Sequence, residues 1–292
     1  MRKYLRYANF IMLGAGVLGI LMMLWLFSAG TDTRGLYPAR HPGWVLLWIL
    51  TPLVLVAAWL LACQAGKNRN YRLNFPASGI AALGCAAGGI GLLTGGLHAL
   101  GGGELLHLLT GLMGIGGGVG LLWGAFCRLK GVKSKLPVHI LPCFFFALQL
   151  FVLGQAYGAE PEMCRYLYRF FATAALVPAC YWLWSFEVGM GRRPACIFWC
   201  LTAAYCSLVA VADMDQWLLY GGAALWMLTA LPKLQYLPKQ PRPKPEPMPE
   251  LALEPETMEQ KAPEKDSLAA PMPDVDAILE ELLRDYHKTD NP

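Results

Sequence analysis

Eight apolar stretches divide the first 235 residues, and the connectors between them alternate between basic and nearly uncharged. The stretches run over 8–29, 44–63, 78–100, 105–126, 137–157, 167–187, 195–212 and 217–234. An α-helix rises about 1.5 Å per residue, so each is close to the length that crosses a hydrocarbon core of roughly 30 Å, the last two narrowly. Lipid offers no partner to an open backbone, which leaves closed helices as the form these segments can take. The expected fold is therefore all-α: a polytopic bundle of eight transmembrane helices over residues 1–235. With 56% hydrophobic and 15% charged residues, the chain is far from ordinary soluble composition, in which about a quarter of residues are charged.

Basic residues next to a span are retained on the cytoplasmic side. Arg2, Lys3 and Arg6, then Lys67, Arg69 and Arg72, then Arg128, Lys130, Lys133 and Lys135, then Arg192 and Arg193 all fall on connectors of one parity. The other parity carries only Arg34, Arg40, Arg165 and Arg169. Both termini are expected in the cytoplasm, and the compact loops fit a bacterial plasma membrane. The first apolar run exceeds the usual signal-peptide core of about 7–15 residues, so it is read as a retained span.

Helices in lipid associate where small residues bring backbones close. Between Gly79 and Gly124 lie 17 of the 31 glycines, with Gly84 and Gly88, Gly91 and Gly95, Gly114 and Gly118, and Gly116, Gly120 and Gly124 at four-residue spacing. Spans three and four are expected to form a tight hairpin about Gly101, Gly102 and Gly103. The same glycines would suit bending in a transport cycle. Pro52 and Pro178 fall within spans two and six, where each removes a backbone hydrogen bond.

The sharpest group of chemically competent side chains is His98, Glu104 and His107, at the outer turn of that hairpin. Glu104 and His107 share a helical face, and two imidazoles with a carboxylate would suit a divalent metal, or paired histidines a haem. The plainer reading is polar side chains at an interfacial turn. His139, near the inner end of span five, is expected to be a lone polar residue with a local partner. Arg169 is a candidate intramembrane charge, a functional flag by default. It can pair with Asp213, Asp215, Glu160 or Glu162, or extend to the interface; Glu187 beside Arg192 and Arg193 is read in the same way. The cysteines form neither an outer pair nor a CxxC pair, and no phosphate-binding, nucleophile or nucleic-acid motif is present. No catalytic residue, cofactor or nucleic-acid partner is expected, and the membrane-embedded partner is the lipid bilayer itself.

Ten prolines fall between Pro238 and Pro273 among charged residues, so residues 236–273 are expected to be a disordered cytoplasmic linker. A short amphipathic helix is expected over 274–288. Val275, Ile278, Leu279, Leu282, Leu283 and Tyr286 fall on one arc, with Asp274 as N-cap. Six acidic and two basic residues from Asp274 to Asp290 leave a formal −4 with His287 neutral, poorly suited to an anionic leaflet. Its apolar arc is the expected binding face for a cytoplasmic protein, with this chain's own loop from Arg128 to Lys135 as the competing dock. The expected role is an anchor or signalling element acting through that helix. The alternatives are a transporter or transporter subunit, and an outer-surface metal or haem protein.

Overall fold

The computed structural model describes residues 7–30, 41–65, 74–75, 77–132, 134, 138–157 and 163–235, excepting the side chains of 157, 163–165 and 232–235. The linker and the helix expected over 274–288 lie outside the described residues. Among those described there is no strand. Helices form α1 (Ala8–Ser28), α2 (Pro42–Cys63), α3 (Gly79–Leu100), α4 (Leu105–Lys130), α5 (Ile140–Tyr157), α6 (Met163–Glu187), α7 (Arg193–Ala210) and α8 (Trp217–Gln235), with a 3-10 turn at Val211–Asp213 before α8.

Local chemistry accounts for several of the ends. Pro42 starts α2, where its missing N–H costs nothing, and the His41 ring accepts from Gly43 N–H at 3.1 Å. Ser78 caps α3 through Ala81 N–H. Gly131 ends α4 in the left-handed conformation, φ 67°, with Arg128 and Lys130 in the last turn, where cations suit the helix dipole. α2 and α6 run through Pro52 and Pro178.

Among the described residues, five helices are long and apolar enough to cross a membrane: α1, α2, α3, α4, and α7 continued through the 3-10 turn. α5 and α8 carry shorter apolar stretches. In α6 the apolar run is flanked within the helix by Arg165, Arg169 and Glu187. The outer surface is apolar along much of the length: on α1, Phe10, Leu21 and Trp25 are exposed, whereas Met12, Gly16, Gly19 and Met23 face inward. A surface of this kind is stable only where the surroundings are themselves apolar.

α3 is the centre of packing, lying against α4 and α8. A Cβ at Gly96 would lie 2.9 Å from Gly111 O and from Ile115 N, and one at Gly118 would lie 2.8 Å from Gly89 O. On the opposite side, a Cβ at Gly91 would lie 2.7 Å from Leu218 O of α8. These are backbone contacts that any side chain would displace. The tight hairpin expected from the glycine spacing is thus present, and α8 is clamped to it by the same means. The second half of the core is α6 against α7, with α7 also meeting α1, α2 and α8.

Candidate functional site

Two contacts between buried Arg, His, Asp and Glu side chains of the described residues lie at opposite ends of α6, and Arg193, also buried, opens α7. At the C-terminal end of α6, Glu187 Oε1 lies 2.6 Å from His139 Nδ1, which stands in the turn before α5. Both side chains are less than a tenth exposed. The His139 ring stacks on Trp226 of α8, centroids 5.7 Å apart and planes 17° from parallel. Arg128, from the last turn of α4, is also buried and holds its guanidinium 4.5 Å above the Phe75 ring. A small void lined by Cys85, Cys127, Arg128, Val138 and His139 separates these groups. A buried carboxylate needs a hydrogen-bond partner, and the His139 ring supplies one to Glu187.

At the other end, Arg169 reaches the segment that joins α7 to α8. Its Nε lies 2.5 Å from Asp213 Oδ2 and its Nη1 donates to Asp215 Oδ2 at 2.9 Å. Arg169 and Asp213 are buried and Asp215 is half exposed. Of the two arrangements open to Arg169, pairing and extension to the interface, the structure adopts the first. The cause is that Asp213 is itself buried by the 3-10 turn, so a guanidinium turned away would strand a carboxylate.

His98, Glu104 and His107 are not brought together. His98 lines a cavity with Asp215, Gln216 and Trp217, while the His107 ring lies against Gly102 on the hairpin turn. Glu104 is exposed in extended backbone as the N-cap of α4, φ −86° and ψ 155°, and makes no capping bond with its side chain. Among the described residues, no group of three or more His, Cys, Asp or Glu is placed to hold a metal ion.

The expectation that His139 is a lone polar residue with a local partner is corrected: its partner is Glu187, 48 positions away. Glu187, in turn, meets His139 rather than belonging only to the Arg192 and Arg193 neighbourhood. Sequence offered one signal, since both residues are polar, interrupt apolar runs and fall at the same predicted depth.

A third polar group is uncharged. Thr51 Oγ1, halfway along α2, lies 2.5 Å from Tyr168 Oη of α6 and 3.1 Å from Tyr205 Oη of α7. This cluster borders a cavity of about 480 Å³ between α2, α6 and α7.

Comparison with known protein families, with curated proteins and with solved structures finds no match.

Proposed function

We propose that this chain is an eight-span membrane protein with both termini in the cytoplasm, and that it anchors or signals to a cytoplasmic protein through its C-terminal amphipathic helix. The observation that best supports a membrane bundle lies in α6. Arg169 and Glu187 are 18 positions apart, about 27 Å along a helix, which is close to the roughly 30 Å of hydrocarbon. The residues between them carry no charge. Each end meets a partner from another element, His139 on one side and Asp213 with Asp215 on the other. Two polar girdles at membrane spacing are what a bundle needs where its ends leave the lipid.

A rigid support, rather than a transport pathway, is favoured by what lies between the girdles. α3, α4 and α8 touch through glycine backbone there, and the buried polar residues at that depth are neutral, such as Gln149 and Thr173. The part of the chain with an unsatisfied apolar face is then the tail helix. About 13 residues are marginal as an isolated helix, so Val275, Ile278, Leu279, Leu282, Leu283 and Tyr286 order when a partner covers them.

The test compares crosslinked partners in cells. A cytoplasmic protein recovered with the full chain should be lost on deletion of residues 238–292 and with Leu279→Asp plus Leu283→Asp, while the bundle remains in the membrane. Recovery unchanged by the double substitution would refute the reading. Saturable solute flux that survives the deletion would support a transporter instead.

A further inference from the structure

α2 is capped by a residue that can titrate. Pro42 has no N–H at the start of the helix, so the first donor that needs a partner is Gly43 N–H, and the His41 ring accepts it through Nδ1 at 3.1 Å. The His41 carbonyl accepts from Trp44 N–H at 2.9 Å. His41 thus closes the first turn twice, once with its side chain and once with its backbone.

The surroundings fix the ring in that place. It meets the indole of Trp25 on α1 edge to face, centroids 4.9 Å apart and planes at 67°. A Cβ on Gly43 would lie 2.9 Å from Nδ1 and 3.4 Å from the carbonyl oxygen of Met22, so glycine is what lets the ring and α1 come this close. Gly43 is itself buried, which keeps water from taking over its N–H if the ring lets go. No charged side chain of the described residues pairs with the ring, and Asp32, Arg34 and Arg40 of the preceding connector lie outside them.

A serine or asparagine cap accepts at any pH, as Ser78 does for α3. An imidazole accepts only while its proton is on the other nitrogen, and it gains a second proton between about pH 8 and pH 5. That proton turns the acceptor into a donor aimed at Gly43 N–H, and sets a positive charge on the positive end of the helix. Trp25 attracts the ring in either state, since an indole also attracts an imidazolium, so the bond that fails is the one to α2. The cap therefore stabilises the turn at high pH and is lost as pH falls. We propose that His41 is an acid-sensitive latch, which when neutral fastens the first turn of α2 beside α1 and when protonated releases it. Trp44, Leu47 and Trp48, in the first two turns, form one wall of the cavity between α2, α6 and α7, so release moves that wall. On the proposed topology this end of α2 faces outward, and the latch reads external pH.

The test measures amide exchange of the purified full chain in lipid nanodiscs at pH 8 and pH 5, residue by residue, as protection factors corrected for the pH dependence of the exchange chemistry. Protection at Gly43 and Trp44 should fall about fivefold at pH 5, the scale of one helix cap. Ala81, whose N–H donates to Ser78, is the internal control and should not change. His41→Asn, which caps without titrating, should keep protection at both pH values. His41→Ala should lose it at both, as should Gly43→Ala, whose methyl displaces the ring. Equal protection at pH 8 and pH 5 in the unmodified chain would overturn the proposal. So would a pH effect that persists in His41→Asn, or one that Ala81 shares in full, which would mark a general loosening in acid.

Discussion

Arg169 is held by two aspartates that are not alike. Asp213 is buried with it, whereas Asp215 is half in solvent. Removing one partner of a buried pair leaves an uncompensated charge, at about 3–5 kcal/mol, but an exposed partner contributes about 1 kcal/mol or less. Arg169→Met should therefore destabilise the bundle by about 3 kcal/mol or more, and Asp215→Asn by less than about 1 kcal/mol. Combining Arg169→Met with Asp213→Asn should recover much of the loss, because no buried charge is then stranded. Thermal unfolding of the three variants in detergent checks the order. At the other end of α6, Glu187→Gln keeps a group that can hydrogen-bond His139, and Glu187→Leu does not. Leu should cost about 1–3 kcal/mol more than Gln in the same measurement, with a change in Trp226 emission because His139 stacks on that ring. Sequence made one girdle readable and hid the other. Asp213 and Asp215 were within reach of Arg169 by connector parity alone, while His139 and Glu187 meet only because α5 packs on α6, which hydropathy does not encode.

At the scale of elements, helix extents were legible to within a few residues because they follow from hydropathy and from end signals such as Pro42, Ser78 and Gly131. The α3 and α4 hairpin was legible too, since glycine at four-residue spacing lets neighbouring helix backbones come close in lipid. That α8 closes on the other side of α3 was not, because Gly222 and Gly91 belong to helices far apart in the chain. A Cβ at Gly222 would collide with the carbonyl of Ala87. This separates glycines that pack from glycines that merely occur. Gly96→Ala and Gly222→Ala should each lower the unfolding temperature or prevent assembly, as each places a methyl into backbone. Gly14→Ala and Gly154→Ala meet nothing within 4 Å and should be neutral or stabilising by up to about 1 kcal/mol from helix propensity. Unfolding temperatures of the four variants should fall into those two pairs; uniform loss would mean that helix flexibility, not close approach, is what the glycines supply.

For the whole molecule, the parity of the connectors predicts on which side of the membrane the tail acts. Cys164, in the first turn of α6, is on the outer side if eight spans are crossed from a cytoplasmic N-terminus. A membrane-impermeant thiol reagent should label intact cells expressing the chain, and Cys164→Ser should remove that labelling. On the proposed topology the tail and the basic loop after α4 are both cytoplasmic, so the tail has two possible docks and they must be told apart. Tethering makes an internal dock effective even when weak, with local concentrations that reach about the millimolar range. Arg128 tells against that dock, since its guanidinium lies inside the bundle over Phe75. Lys130 spreads its ammonium over Phe126, 4.2 Å from the ring centre, on its own helix. Two of the four basic residues that would attract the acidic helix are thus engaged elsewhere. Replacing Lys130, Lys133 and Lys135 together by Gln should leave crosslinking of the tail to the proposed cytoplasmic partner unchanged, and Leu279→Asp with Leu283→Asp should abolish it. If partner recovery instead rose on removing the lysines, the tail would be held by its own loop and released for binding, and the anchor would be an autoinhibited one.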